Sequence, residues 1–234
     1  GQGGEDVPEI TSEVQPGSPT YQAGSWVRLG GPPGGTGYDI RYNFDNFNTW
    51  YVTDAHGGVH ISTDNGITWL ASNSGIPGQS GPTGDAIGVF CLTVDPNDSQ
   101  IIWAGTVDSG HIYRSTDGGQ SWIERDNGIS IKYDAMTFRG ITVDPTSSDI
   151  VYAMAETTSE SATLQGQGTW KSGTGGVVYK TTDAGENWKI IWEGDMPSSL
   201  ARYLWIDPRD TDMLYVSTGI FDRGAIGDND SLDD

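Results

Sequence analysis

One eight-residue motif recurs three times and constrains the fold more than any other feature of the chain. Its copies are Ser62-Thr63-Asp64-Asn65-Gly66-Ile67-Thr68-Trp69, Ser115-Thr116-Asp117-Gly118-Gly119-Gln120-Ser121-Trp122 and Thr181-Thr182-Asp183-Ala184-Gly185-Glu186-Asn187-Trp188. A second motif precedes each copy: Thr93-Val94-Asp95-Pro96, Thr142-Val143-Asp144-Pro145 and Trp205-Ile206-Asp207-Pro208, with a degenerate first form at Asn43-Phe44-Asp45-Asn46. Asp45, Asp95 and Asp144 are 50 and 49 residues apart, and the step to Asp207 is 63. A fixed period of that size is the mark of a repeat architecture, in which each unit buries its apolar face against its neighbours.

Inside one unit the apolar period is close to two. Phe90-Cys91-Leu92-Thr93-Val94 is followed by a polar turn, then Ile101-Ile102-Trp103-Ala104, a second turn, Gly110-His111-Ile112-Tyr113-Arg114, the eight-residue motif, and Trp122-Ile123. That pattern predicts short antiparallel strands joined by turns, and no segment sustains a helical period. Asp outnumbers Glu 24 to 8, which favours turns over helices. The expected fold is all-β: a β-propeller of four-stranded blades, with about three and a half blades present as a partial ring. The expected organisation is an N-terminal segment over 1–24, a closing strand at 25–31, blade 1 at 38–71, blade 2 at 87–125, blade 3 at 138–192 and half of blade 4 at 201–219. The partial propeller thus spans 25–234. Ser25-Trp26-Val27-Arg28 reads as a fourth strand with no first three before it, so further blades are expected from the same polypeptide or from another chain.

The motif falls where a third strand turns into a fourth. There Asp64, Asp117 and Asp183 can accept bonds from loop amides, Gly66, Gly119 and Gly185 can take positive φ, and Trp69, Trp122 and Trp188 can pack across the hairpin. A residue repeated in every blade does not mark a single site, so its expected role is structural. These copies resemble the Asp boxes, or BNR repeats, of sialidases, xyloglucan-cleaving glycoside hydrolases, sortilin-type receptor ectodomains and photosystem assembly factors. The resemblance covers about residues 25–220 and implies the propeller; those families share little function beyond it.

In a four-stranded meander alternate turns lie at alternate ends, which puts the motifs and the Asp-Pro turns at one end. The opposite end collects the irregular loops: 53–58, 72–86, 107–110, 126–137, 156–176, 193–200 and 219 onward. The candidate binding residues there are His56, Asp108, Tyr133, Trp170, Asp222 and Arg223, with Asp54 as candidate catalytic base. Asp54 and His56 lie two apart in the Gly-flanked turn Val52-Thr53-Asp54-Ala55-His56-Gly57-Gly58, where they could orient a water or bind a sugar, or simply form an Asp-mediated turn. The segment resembles the Thr-Asp-x-Gly-Gly turn that carries the catalytic base of xyloglucan-cleaving hydrolases, with one additional residue before the glycines. That resemblance implies Asp54 as the base, with its partner carboxylate in a second propeller. Sialidase chemistry fits less well, because neither Arg28 nor Arg41 has the context of the arginine triad.

A formal charge of -20 argues against nucleic acid and anionic membranes as partners. No run approaches the roughly 18 apolar residues of a membrane-spanning helix. The lone Cys91 sits in an apolar run and reads as a buried thiol. His56, His60 and His111 show no zinc spacing. No cofactor is expected, although the oxygen-rich Asp228-Asn229-Asp230-Ser231-Leu232-Asp233-Asp234 could take calcium. The expected function is a secreted or cell-surface recognition or scaffold module binding a carbohydrate or protein ligand through the loop end. The alternative is a polysaccharide-cleaving hydrolase using Asp54. The chain starts Gly1-Gln2 without Met, as it would after removal of a signal, and the expected location is extracellular, cell-surface or periplasmic.

Overall fold

A computed structural model describes residues 31–32, 37–78, 87–129, 135–158, 176–193 and 201–218. The closing-strand segment proposed for 25–31 and the N-terminal segment 1–24 fall almost wholly outside them. Every regular element among the described residues is a β-strand. The first sheet contains β1 (Gly37–Tyr42), β2 (Trp50–Asp54), β3 (Gly58–Ser62) and β4 (Leu70–Ala71). The second contains β5 (Val89–Asp95), β6 (Asp98–Thr106), β7 (Ile112–Ser115) and β8 (Ile123–Glu124). The third contains β9 (Ala135–Asp144), β10 (Ser147–Thr158), β11 (Gly176–Thr181) and β12 (Lys189–Glu193), and the last pairs β13 (Ala201–Ile206) with β14 (Leu214–Thr218). Each sheet is an antiparallel meander in sequence order, so the fold is an all-β partial propeller with three four-stranded blades and a two-stranded fourth.

The side-chain alternation of the second sheet shows how the arc is built. Register pairs Leu92 with Ala104 and Ala104 with Tyr113, which puts these three on one face. They join Tyr51 and Val59 of the first sheet in a buried core. The other face carries Cys91, Trp103 and Ile112, packed with Met136, Phe138 and Tyr179 of the third sheet. A blade between two others has no wet face, so its strands are apolar on both sides, unlike the one-sided alternation of an exposed sheet. A third core joins Tyr152, Met154 and Val178 to Leu204 and Ile206. Burial pushes the Cys91 thiol up to about 12, with the Asp39 carboxylate adding to the effect, so this cysteine is an inert core residue.

The repeated motif is the joint between blades. Asp117 Oδ1 accepts from the Ser115 hydroxyl at 2.7 Å and the Ser121 amide at 2.9 Å, while Ser115 Oγ accepts from the Gly119 amide at 2.8 Å. Asp64 and Asp183 make the same bonds within their own turns. The indoles of the second and third copies reach past their own hairpins. Trp122 Nε1 donates to the Ser72 carbonyl at 2.8 Å and Trp188 Nε1 to the Arg125 carbonyl at 2.7 Å, each on the preceding blade. The cause is the shared core, since an indole packed across its own hairpin would leave the blade boundary unfilled. Trp69 Nε1 instead donates to Gly66 O of its own turn, at 3.0 Å.

Candidate functional site

By strand direction the β2–β3 and β6–β7 turns share one end of the arc, opposite the motif turns. At that end of the first blade lies a cavity of about 400 Å3 lined by Pro32, Gly37, Tyr38, Asp39, Ile40, Val52, Thr53 and Asp54. Asp54 ends β2 and is 3% exposed, and its Oδ1 accepts from the amides of His56 at 2.8 Å and Gly57 at 2.9 Å. These bonds close the turn and fix the carboxylate of this cavity-lining residue. His56 contributes its backbone to that turn and leaves its side chain exposed.

Two further ionisable groups sit beside Asp54. Asp39 lines the same cavity, one strand away on β1. Its Oδ2 accepts from the Leu92 amide at 3.1 Å and its Oδ1 from the Ile40 amide at 2.9 Å, with Arg41 paired at 2.5 Å. Burial raises its pKa above the usual carboxylate range, and Arg41 opposes that rise. His60 is 4% exposed, and its Nδ1 is buried without a hydrogen-bond partner. Burial lowers its pKa, partly offset by the Asp54 charge. A side chain on Gly57 would come within 2.9 Å of the His60 ring and 3.4 Å of Asp54 Oδ1, so ring and carboxylate pack against one point of the turn.

From the cavity a column of side chains runs along the inner strands of successive blades. Tyr38 of β1 stacks on Phe90 of β5 with ring centroids 4.3 Å apart and planes 26° from parallel. The Arg139 guanidinium of β9 lies 4.3 Å from the Phe90 centroid and pairs with Glu156 of β10 at 2.5 Å.

Asp108 has a different environment. It adopts φ 57°, its amide donates to Thr137 Oγ1 at 3.0 Å, and its Oδ1 accepts from that hydroxyl at 3.1 Å. It therefore ties the β6–β7 turn to the third blade and is not among the residues lining the cavity. Tyr133, Trp170, Asp222 and Arg223, and the acidic run 228–234, lie outside the described residues.

At the outer edge of the second blade, His111 Nδ1 lies 2.7 Å from Asp126 Oδ2 and 3.6 Å from Glu124 Oε2, with the Tyr113 hydroxyl donating to Glu124 at 3.2 Å. One imidazole and two carboxylates form a donor set able to hold a divalent cation. Residues 111, 124 and 126 have no local metal spacing; the β7–β8 register, which sets Tyr113 opposite Glu124, brings them together. Asp39 and His60 were equally silent in sequence, because each is one polar residue within a strand pattern.

No protein-family model matches the chain. It is 29% identical over 175 residues to a xyloglucanase of Hypocrea jecorina, an overlap of 69% of this chain and 19% of that protein. It is 27% identical over 149 residues to a xyloglucanase of a Paenibacillus species, covering 62% of this chain and 14% of the relative. The chain thus spans a fifth or less of the length of these curated relatives. The crystal structure of the GH74 xyloglucanase from Xanthomonas campestris superimposes with a TM-score of 0.55 at 14% identity, over 77% of this chain and 26% of that one. At that identity the match supports the propeller fold. Among the described residues no helix is long and apolar enough to cross a membrane.

Proposed function

We propose that this chain is part of a polysaccharide-cleaving glycoside hydrolase built on Asp-box blades, with its glycan held across the loop end and Asp54 as the base that activates water. The observation that carries this reading is that Asp54, whose carboxylate is fixed by two backbone amides, is one of the residues lining a cavity at the loop end. The identity to xyloglucanases supports it. Glycoside hydrolysis needs a second carboxylate, acting as acid on the leaving oxygen. Asp39 lines the same cavity, but Leu92, Ile40 and Arg41 occupy it. Among the described residues no other carboxylate lines the cavity, and the acid is assigned to a residue outside them, in this chain or in further blades. An extracellular, cell-surface or periplasmic location suits a polymeric substrate. His56, Asp108, Tyr133, Trp170, Asp222 and Arg223 are kept as proposed ligand contacts of the loop end at large.

A recognition module that binds glycan without cleaving it is the second reading. It is favoured by the 3% exposure of Asp54 and by the double amide load on its Oδ1, both of which suit a turn residue. The test is incubation with soluble xyloglucan and measurement of new reducing ends. Hydrolysis is expected, with an Asp54→Asn variant slowed by at least about a hundredfold, the typical worth of general base catalysis. Retained glycan binding with no reducing ends from the wild type would select the recognition reading.

A further inference from the structure

Tyr38 occupies a position that interblade packing alone does not explain. Its ring is backed on one side by Phe90, which Arg139 covers from the third blade, and Arg139 is in turn held by Glu156. The first strands of three successive blades thus contribute Tyr38, Phe90 and Arg139 to one column, with Glu156 of the adjoining β10 holding Arg139. Arg139 and Glu156 have side chains only 14% and 17% exposed, whereas Tyr38 is 40% exposed and lines the cavity. An aromatic ring stacked on a neighbour, partly exposed and belonging to a cavity wall can serve as a flat apolar platform whose orientation is already held, so binding against it costs little further ordering. Asp39 and Asp54 border the same cavity, and a carboxylate can only accept, through lone pairs beyond those already taken by the Leu92 and Ile40 amides and Arg41 on Asp39 and by the His56 and Gly57 amides on Asp54. A ligand with one apolar face and a rim of hydroxyl donors matches that arrangement, and a pyranose ring has both. The -20 charge of the chain disfavours polyanionic sugars.

Resting on the reading that the loop end takes a glycan, we infer that Tyr38 is a sugar-stacking platform for a neutral pyranose unit, held rigid by the Phe90–Arg139–Glu156 column, next to Asp54. Calorimetric titration with cellotetraose tests it on the wild type, Tyr38→Phe, Tyr38→Ala and Tyr38→Leu, each first checked for a cooperative thermal transition. Phe keeps the flat face and is expected to bind within about twofold of the wild type. Ala and Leu remove it and are expected to weaken binding about tenfold or more, a loss within the range of one aromatic contact. Leu preserves an apolar contact with Phe90, so it separates the platform from loss of packing if Ala unfolds. Tetragalacturonate, the charged probe, is expected to bind at least about tenfold more weakly than cellotetraose. Equal affinity of Tyr38→Leu and wild type, no wild-type binding at millimolar cellotetraose, or equal binding of the charged probe would overturn the inference. Reducing ends measured on xyloglucan separate it from the hydrolytic reading. Binding that depends on Tyr38 without cleavage leaves the platform standing and the hydrolase reading refuted, and cleavage with unchanged KM in Tyr38→Leu does the reverse.

Discussion

Three carboxylates hold the motif turns, and two of them carry a clear acid signature. The Thr68 side chain and amide hold Asp64 down to about 2, and the Asn187 and Thr181 side chains hold Asp183 to about 2 as well. A carboxylate whose folded pKa lies below its unfolded value near 4 contributes stability that is present above that value and lost as pH falls through the folded one. The melting temperature is therefore expected to drop between about pH 4 and pH 2, and Thr68→Ala or Asn187→Ala should make that drop shallower. Thermal unfolding followed across the interval checks it; identical slopes in wild type and variants would refute the assignment. Asp183 is exposed and Asp64 half-buried at the surface, so the effect should also shrink with salt. Gly185 imposes a harder limit. It sits at φ +85°, and an added Cβ would lie 2.7 Å from the Trp103 ring and 3.2 Å from Arg125 Cβ. Gly185→Ala is expected to cost about 2–3 kcal/mol, from backbone strain and overpacking together, measured by denaturant unfolding.

Neighbouring blades are clipped together by a device that uses the same relative positions twice. Trp188 donates its amide to Asn127 O at 2.8 Å and its indole to Arg125 O at 2.7 Å, and Trp122 repeats the pair on Ser74 and Ser72. Gly128, at φ +92°, passes so near that an added Cβ would lie 2.3 Å from the Trp188 carbonyl oxygen. Replacing Trp188 by Phe keeps the ring buried but removes the indole donor. The expected loss is about 1–2 kcal/mol in denaturant unfolding, from a carbonyl left without its partner. A neutral result would show that the indole bond adds nothing to the joint. The strands, their order and the ends of the arc were legible in the sequence, because period-two alternation and the spacing of Asp64, Asp117 and Asp183 are local signals. The joint was not. The glycines at 75 and 128 have meaning only against a carbonyl of the next blade, and the outward reach of the indoles depends on a core shared by two sheets. The site was legible only in part for the same reason. Asp54 stood out by its turn, whereas Asp39, His60 and Tyr38 come near it only through strand register and stacking.

Across the whole arc, charge and apolar surface act in opposition. The last sheet turns Tyr203 (66% exposed), Trp205 (44%) and Tyr215 (49%) outward, with the Trp205 and Tyr215 rings 5.3 Å apart. At the other extreme, the first sheet exposes Ile40 (53%) and Tyr42 (56%). Between these sheets every blade face is covered by the next blade, as the cores joining Leu92 to Tyr51, Phe138 to Cys91 and Leu204 to Met154 show. Two outward apolar surfaces, at opposite ends of the same arc, can meet in a head-to-tail sense. The -20 charge holds molecules apart when the screening length is long, at about 0.01 M salt. Raising salt to about 0.15 M shortens that length to about 8 Å and leaves apolar attraction intact. Residues 1–234 are therefore expected to associate as salt rises, with the weight-average mass from light scattering increasing over that range. Trp205→Lys places a charge in the centre of the aromatic face and should return the protein to monomer at both salt concentrations. A monomer that stays monodisperse throughout the range, or a mass that falls with salt, would show that these faces do not meet in solution.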